Sequence, residues 1–406
     1  VAIQIRKLRS LVVRDLRLAR IHFFLLIGGV GFAYPFVNLF YRWQGLSGTE
    51  IGLILTISSV VGLIAAPLWG RRSDAGASLT RLLQVGLVGS ALALLALSQQ
   101  TSFVWLAFFA ALQSSAGAGL GPLSDALALR ITQARRAGYG SVRVWGSAGW
   151  AVSVLVSGWL IERTSLVAGF VGSAVAFFVA AALVHTLPAT ILIPSSLAPM
   201  PPRAHSLRGN TRAVLQNRAL LGLALALLLQ GLLGSGYMQF GNIYLEQLGA
   251  STFIIGVASM LGSVIELPGM FLGDRIVARV GAATALLFSF LLTGAPLLLV
   301  VIFPQVWAIL ATRAIFGVAY SLFVIALVKY VTEHAPVAQT ATMLALFTVT
   351  LSALIQILAA PLAGIVFDAF GAYWLYALAV VGNLGAAALL FVFNLYARKL
   401  ARQTAA

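Results

Sequence analysis

Residues 282–303 read AATALLFSFLLTGAPLLLVVIF, a run without one charged side chain. Wound as a helix at about 1.5 Å per residue, it is long enough to cross a hydrocarbon core of roughly 30 Å. The rest of the chain follows suit: of 406 residues, 61% are hydrophobic and 9% charged, and the mean hydropathy is +1.00. Soluble domains hold roughly 45–50% apolar and about 25% charged residues. A soluble fold is therefore excluded, and a membrane protein is expected.

Comparable apolar runs place spans over residues 20–42, 50–70, 79–98, 102–129, 139–161, 165–187, 218–245, 253–273, 282–303, 305–331, 338–367 and 371–396. Long runs punctuated by Gly and Pro suit helices, which satisfy their own backbone in lipid, and not the short alternating strands of a membrane barrel. The expected fold class is an all-α membrane protein of twelve transmembrane helices in two pseudo-symmetric six-helix bundles. Residues 1–19 read as a basic amphipathic lead-in at the membrane surface, 20–188 as the N-terminal bundle, 189–216 as a cytoplasmic linker and 217–406 as the C-terminal bundle. Pro194, Pro199, Pro201 and Pro202 keep regular structure out of the linker. A weak internal symmetry supports the division, since WGRRSD after the second span is answered by FLGDR after the eighth, each a basic turn with one acid, Asp74 and Asp274.

The net charge of +16, from 26 Lys and Arg against 10 Asp and Glu, is explained by position and does not call for nucleic acid. The bases crowd one side of the twelve-span arrangement: Arg6 to Arg20, Arg71, Arg72, Arg81, Arg130, Arg135, Arg136, Arg203 to Arg218, Arg275, Arg279, Lys329 and Arg398 to Arg402, with Arg42 and Arg163 alone marking the other. The positive-inside rule makes the crowded side, with both termini, cytoplasmic in a cell membrane, where anionic lipid accounts for the excess. The first apolar run is a full span without a small-residue cleavage site, so it does not read as a signal peptide. Cysteine is absent, which removes disulfides, thiolate chemistry and cysteine metal sites. Gly117, Gly119 and Gly121 lie inside a span with no Lys-Ser/Thr after them, so they are no phosphate loop, and the four histidines are scattered; no cofactor, metal site or enzymatic centre is expected.

Charges inside the spans mark the candidate site, because each costs at least about 2.5–3.5 kcal/mol to insert. Those clearly within the spans, away from their ends, are Asp125, Arg143, Glu266 and Arg313. Arg143 belongs to YGSVRVWGSAGW, residues 139–150, at the start of the fifth span, and Asp125 lies at a similar depth on the fourth. The two are expected to form an ion pair unless a substrate separates them. Ser147, Trp150 and Ser157 share the helical face of Arg143, while Gln113, Gly117, Gly121 and Ser124 lead to Asp125. Such small and polar faces suit close helix packing or a water-filled cavity, and Trp150 adds an indole able to stack on a sugar or an aryl group. In the second half, Glu266 stands in IELPGMF, where Pro268 is expected to loosen the helix. Polar stripes run along other spans as Tyr34, Asn38 and Tyr41; Gln230, Tyr237 and Tyr244; Arg313 and Tyr320; and Thr348, Ser352 and Gln356. Together these spans are suited to surround a central cavity.

The layout, the turns WGRRSD and LGDR, and the linker resemble the major facilitator superfamily over essentially the whole chain. Within it, PLSDALALR followed by YGSVRVWGSAGW resembles the branch of the phenylpropionate permeases and lactose permease. Asp125, Arg143 and Trp150 reproduce the acid, arginine and tryptophan spacing that holds the sugar in lactose permease, with aspartate in place of glutamate. IELPGMF is similar to the phenylpropionate-permease run, whereas Phe316 and Ala319 stand where lactose permease carries its coupling histidine and glutamate.

The reading is a secondary active transporter, working by alternating access and coupling protons to symport of a small organic substrate, an aromatic carboxylate or a sugar. Asp125, Arg143, Trp150, Arg313, Tyr34, Asn38, Tyr237 and Gln356 are expected to bind substrate, Glu266 and Asp125 to couple the proton, and Arg71, Asp74, Asp274 and Arg275 to gate the conformational change. The alternatives are proton-driven efflux of amphipathic drugs and a non-transporting structural or receptor protein. Expected partners are substrate, protons and lipid, not nucleic acid, and the resemblance implies a monomer.

Overall fold

A computed structural model describes residues 2–186, 214–336 and 339–404. The expected linker over 189–216 lies outside the described residues as far as residue 213. Among the described residues, twelve helices are long and apolar enough to span a membrane: α1 (Arg14–Trp43), α2 (Gly48–Asp74), α3 (Leu79–Leu97), α4 (Phe103–Ala134), α5 (Gly140–Arg163), α6 (Val167–His185), α7 (Arg218–Gln247), α8 (Thr252–Val280), α9 (Ala282–Ile302), α10 (Val306–His334), α11 (Thr342–Phe370) and α12 (Ala372–Tyr396). The chain is a multi-pass, all-helical membrane protein.

Three features differ from the sequence reading. The lead-in is helical and continuous with the first span, one unbroken helix running from Ala2 to Ala33. No Gly or Pro interrupts its backbone before Gly28, and Asp15 within it is 1% exposed, accepting a hydrogen bond from Arg135 Nε at 3.2 Å. Pro268 does not break α8, which continues as a helix through it; in an apolar setting the flanking turns have no water to take over their hydrogen bonds. The interruptions fall elsewhere. A 3₁₀ turn over Tyr34–Phe36, with Pro35 in its first turn, breaks α1. Two helices, Phe103–Gly117 and Leu120–Ala134, compose α4, and a π turn over Leu346–Thr350 interrupts α11.

Two compact units emerge. One comprises residues 1–46, 57–199 and 251–260; the other comprises 47–56, 200–250 and 261–406. Each therefore takes in the opening turns of a helix from the other sequence half, α8 in the first case and α2 in the second. In the first unit α1 packs on α5 and α6, and α3 on α4 and α6; in the second α7 packs on α11 and α12, and α9 on α10 and α12. The same pairing is thus used twice.

Sequence explains the tightness. Along α1 and α5, a Cβ added to Gly28 would lie 2.7 Å from Ser153 Oγ, and one added to Gly149 would collide with the carbonyl oxygen of Phe24. Small residues let these backbones touch, which is how helices attract in lipid. The second unit relies more on side chains, with Leu220, Leu223, Leu286, Phe290, Ala326 and Tyr330 in one buried cluster. Turns close with matching chemistry: Gly45 and Gly249 have φ of +87° and +85°, in the left-handed region that favours glycine. Leu46 N donates to Tyr41 O at 3.2 Å, and Ala250 N to Leu245 O at 2.9 Å, closing both helix ends in the Schellman pattern.

Candidate functional site

In the first unit the break between α4 and α5 brings Tyr139 to the N-terminus of α5. Its hydroxyl donates to Asp125 Oδ1 at 2.6 Å. No Asp125–Arg143 ion pair within 4.0 Å occurs among the described residues, which corrects the pairing expected from their depths. The reason is local: the Tyr139 phenol supplies the donor Asp125 needs and is within electrostatic reach of Arg143. Arg143, itself exposed, reaches over the Phe23 ring at 5.8 Å. Desolvation, then the hydrogen bond and charge of Asp125, push the Tyr139 phenol up to about 12, with Arg143 pulling the other way. Next to Asp125, buried Ser124 meets His22 Nε2 at 2.9 Å.

Two turns along α5, Trp150 Nε1 donates to Ser259 O at 3.4 Å, and its ring lies 6.1 Å from that of Tyr34. Tyr34 is 68% exposed, and it sits in the 3₁₀ turn that Pro35 imposes on α1. The turn thus holds an accessible phenol beside a half-buried indole. Asn38 is half-buried one turn beyond Tyr34.

In the second unit Arg313 is half-buried on α10, donating to Asn242 Oδ1 at 3.4 Å and approaching Met238 Sδ at 3.3 Å. Both partners belong to α7. A Cβ on Gly241 would stand 2.8 Å from Arg313 Nη2 and 3.0 Å from Tyr376 Oη, so the missing side chain gives both polar groups their place against α7. The Tyr376 ring lies 5.6 Å from Tyr237 and 5.4 Å from Tyr244, and all three are buried. Glu266 is half-buried on α8, where Gly317 of α10 brings the two backbones together: a Cβ on Gly317 would lie 2.9 Å from Glu266 N. Tyr320, stacked on Phe316 at 5.7 Å, is within electrostatic reach of Glu266. Gln356 is half-buried on α11.

The sequence-predicted residues therefore form two groups: Asp125, Arg143, Trp150, Tyr34 and Asn38 in one unit, Arg313, Tyr237, Glu266 and Gln356 in the other. Arg71 and Asp74 are exposed at the end of α2, and Asp274 and Arg275 are exposed on α8, none in an ion pair among the described residues. Asp274 and Lys329 flank a cavity of about 420 Å³ lined also by Val277, Val324, Ile325 and Val328. Sequence reasoning missed Tyr139, Asn242 and Tyr376 as site neighbours. Tyr139 opens the stretch that contains Arg143, four residues before it, and that i, i+4 spacing is the one signal that ties it to Arg143. Nothing in the α12 pattern singles out Tyr376. Among the described residues no group of three or more His, Cys, Asp or Glu gathers as metal ligands.

Twelve spans, a repeated helix pairing and charged clusters within the spans define a membrane transporter of the major facilitator type. The chain belongs to the MFS_1 like family, whose model matches residues 16–378. It is 29% identical over 328 residues to the maltose permease of Geobacillus stearothermophilus, covering 80% of this chain and 81% of that one. It is 26% identical over 326 residues to the uncharacterized transporter YwbF of Bacillus subtilis (strain 168), covering 79% and 78%. Its fold is similar to the crystal structure of the nucleoside transporter NupG, with a TM-score of 0.80 at 16% identity over 93% of this chain and 98% of the other. A bacterial homologue of the iron transporter ferroportin shares the fold at a TM-score of 0.71 and 14% identity, over 94% and 98%. These relatives are transporters and not enzymes.

Proposed function

We propose that the protein is a proton-coupled symporter of a sugar-like substrate, working by alternating access in the plasma membrane with both termini in the cytoplasm. The observation that carries this reading is the first unit's line of groups: Tyr139 bonded to Asp125 and within electrostatic reach of Arg143, then the Tyr34–Trp150 ring pair on the following turns. Carboxylate, phenol and guanidinium supply acceptors and donors for hydroxyl groups, while an indole offers its face to a pyranose. The 29% identity to a maltose permease supports the same class. An aromatic carboxylate is the second reading, favoured by Arg143 and by Arg313 among tyrosines, since a guanidinium takes a carboxylate in two hydrogen bonds.

Glu266 is assigned the proton. It is a half-buried acid within the apolar span α8, where a carboxylate is costly to place and so marks function. Asp125, engaged with Tyr139, responds to substrate. The test is flux and internal pH in proteoliposomes supplied with maltose, nucleosides and aryl carboxylates, with protonophore and empty-liposome controls. Uptake of one class with stoichiometric proton entry, abolished in Glu266→Gln, is expected. Flux without proton movement in either protein would refute symport, and outward movement driven by an inward proton gradient would replace it with export.

A further inference from the structure

Two carboxylates outside the candidate site do the same work at matching places in the repeat. Asp368, one turn beyond Gly364 in α11, accepts from Gly48 N at 2.6 Å, from Thr49 N at 2.8 Å and from Thr49 Oγ1 at 2.7 Å. Glu162, one turn beyond Gly158 in α5, accepts from Ser251 Oγ at 2.8 Å and from Phe253 N at 3.0 Å. Each carboxylate thus caps the opening turn of a helix to which it does not belong, α2 in one case and α8 in the other. The first backbone N–H groups of a helix lack partners within it and carry partial positive charge, which is what an anion satisfies.

Beneath each cap the helices meet at backbone distance. A Cβ on Gly158 would lie 2.6 Å from Thr252 O, and one on Gly256 2.5 Å from Val154 O; added atoms on Gly364 and Gly52 would collide with the carbonyl oxygens of Gly48 and Ala360. Thr252 Oγ1 donates to Gly158 O at 3.0 Å, and Thr56 Oγ1 to Ile357 O at 3.0 Å. The primary structure carries the duplication: GLSGTEIG (45–52) and GASTFIIG (249–256) share Gly-x-Ser-x-x-x-Ile-Gly, while GWLIE (158–162) and GIVFD (364–368) share glycine and an acid four residues apart. The held helices are otherwise the most weakly embedded: 22% of the apolar window of α2 and 17% of that of α8 is buried, less than in the other ten. Neighbouring charges are occupied elsewhere. Glu50 accepts from Ser47 N and Oγ at 2.8 Å in its own helix cap, Arg163 lies over Trp159 at 4.2 Å, and Arg42 donates to Leu46 O at 3.1 Å.

We propose that Glu162 and Asp368 are a matched pair of latches that clamp the opening turns of α8 and α2, and thereby set how often these helices detach. The proposal rests on the transport reading only in giving that detachment a purpose; the latch can be measured without substrate. The chain has no native cysteine, so single reporters are available directly. Ala258→Cys and Ala360→Cys report on the two contacts, at positions 1% and 0% exposed, and Ala326→Cys reports on a core position 0% exposed.

Maleimide alkylation of each is followed in the full-length protein in nanodiscs. Glu162→Ala is expected to raise the rate at residue 258, and Asp368→Ala at residue 360, each by roughly tenfold for loss of a charge-assisted cap, with residue 326 unchanged. Glu162→Gln and Asp368→Asn, which keep an acceptor, are expected to fall between. Unchanged labelling at 258 and 360 would overturn the proposal. So would an equal rise at 326, which means global loosening, or an equal rise at residue 360 in Glu50→Ala, which means simple fraying of α2. A transport-dead protein with the expected labelling pattern would remove the proposed function and keep the latch.

Discussion

Tyr139 shows what a single side chain decides. Without it, Asp125 and Arg143 are two opposite charges at similar depths; with it, the carboxylate is held by a phenol at 2.6 Å and the guanidinium stays exposed. Tyr139→Phe removes the donor and leaves a half-buried carboxylate short of one bond. A double-mutant cycle of Tyr139→Phe with Asp125→Asn on unfolding free energy is expected to give a coupling of roughly 1.5–3 kcal/mol. The phenol also has a pH signature. Its folded-state value of about 12 exceeds the ordinary value of about 10, so its contribution to stability is intact below about pH 10 and is lost as pH rises through about 12. Tyr139→Phe should flatten that alkaline limb of a denaturation series. Gly241 makes a second case. Gly241→Ala pushes a methyl group against Arg313 Nη2 and Tyr376 Oη; Arg313 is a flexible chain that yields, so stability should change by less than about 1 kcal/mol. Substrate affinity should fall by about tenfold, the worth of one displaced charged hydrogen bond. Unaltered affinity would place Arg313 outside the binding machinery.

Helices are held here by what glycine omits. In α5, Gly149 rests on the Phe24 carbonyl of α1, whereas nothing lies within 4 Å of a Cβ on Gly121. Backbone cannot step aside as a side-chain tip does, so Gly149→Ala is expected to cost about 1–3 kcal/mol. Gly121→Ala, in an open helical position, should be neutral or stabilising by up to about 1 kcal/mol. Thermal or denaturant unfolding of the two variants beside the parent decides this. The elements were legible in sequence because hydrocarbon length and backbone satisfaction are one-dimensional constraints, and all twelve spans fall where apolar runs do. Their interruptions were less so. Pro268 marks no break while Pro35 marks a 3₁₀ turn, because whether a lost hydrogen bond opens a helix depends on the neighbours around it. The polar faces of α4 and α5 pointed to Asp125 and Arg143; the insertion of Tyr139 between them depended on how the 135–139 connection folds back, and spacing alone does not describe that. Tyr376 was invisible for a plainer reason: one tyrosine in an apolar run reads as packing until Gly241 and Arg313 are seen beside it.

At the scale of the molecule, the chain writes one six-helix plan twice and distinguishes the copies by chemistry. The first unit gathers Asp125, Tyr139, Arg143 and Trp150, the second Arg313, Tyr237 and Glu266, while the capped turns at Gly48 and Thr252 keep a common Gly-x-Ser-x-x-x-Ile-Gly pattern. A prediction of orientation rests on a different asymmetry. Arg42 and Arg163 stand at one end of their helices, against Arg71, Arg72, Arg135, Arg136, Arg275 and Arg279 at the other, and translocating a basic cluster across a membrane is opposed both by anionic lipid and by the membrane potential. Because the chain lacks cysteine, single cysteines at turn positions read topology without background. Gly45→Cys would strain a left-handed turn, so half-buried Gln44 and exposed Thr164 are the better sites on one side, and exposed Ala75 and half-buried Ala137 flank turns on the other, with Ala137 as the slower reporter. In intact cells a membrane-impermeant maleimide should label Gln44→Cys and Thr164→Cys at once, and Ala75→Cys and Ala137→Cys only after permeabilisation. Labelling of Ala75→Cys in sealed cells would invert the chain, place the caps at Asp368 and Glu162 on the cytoplasmic side, and show that charge bias was overridden by the first helix to insert.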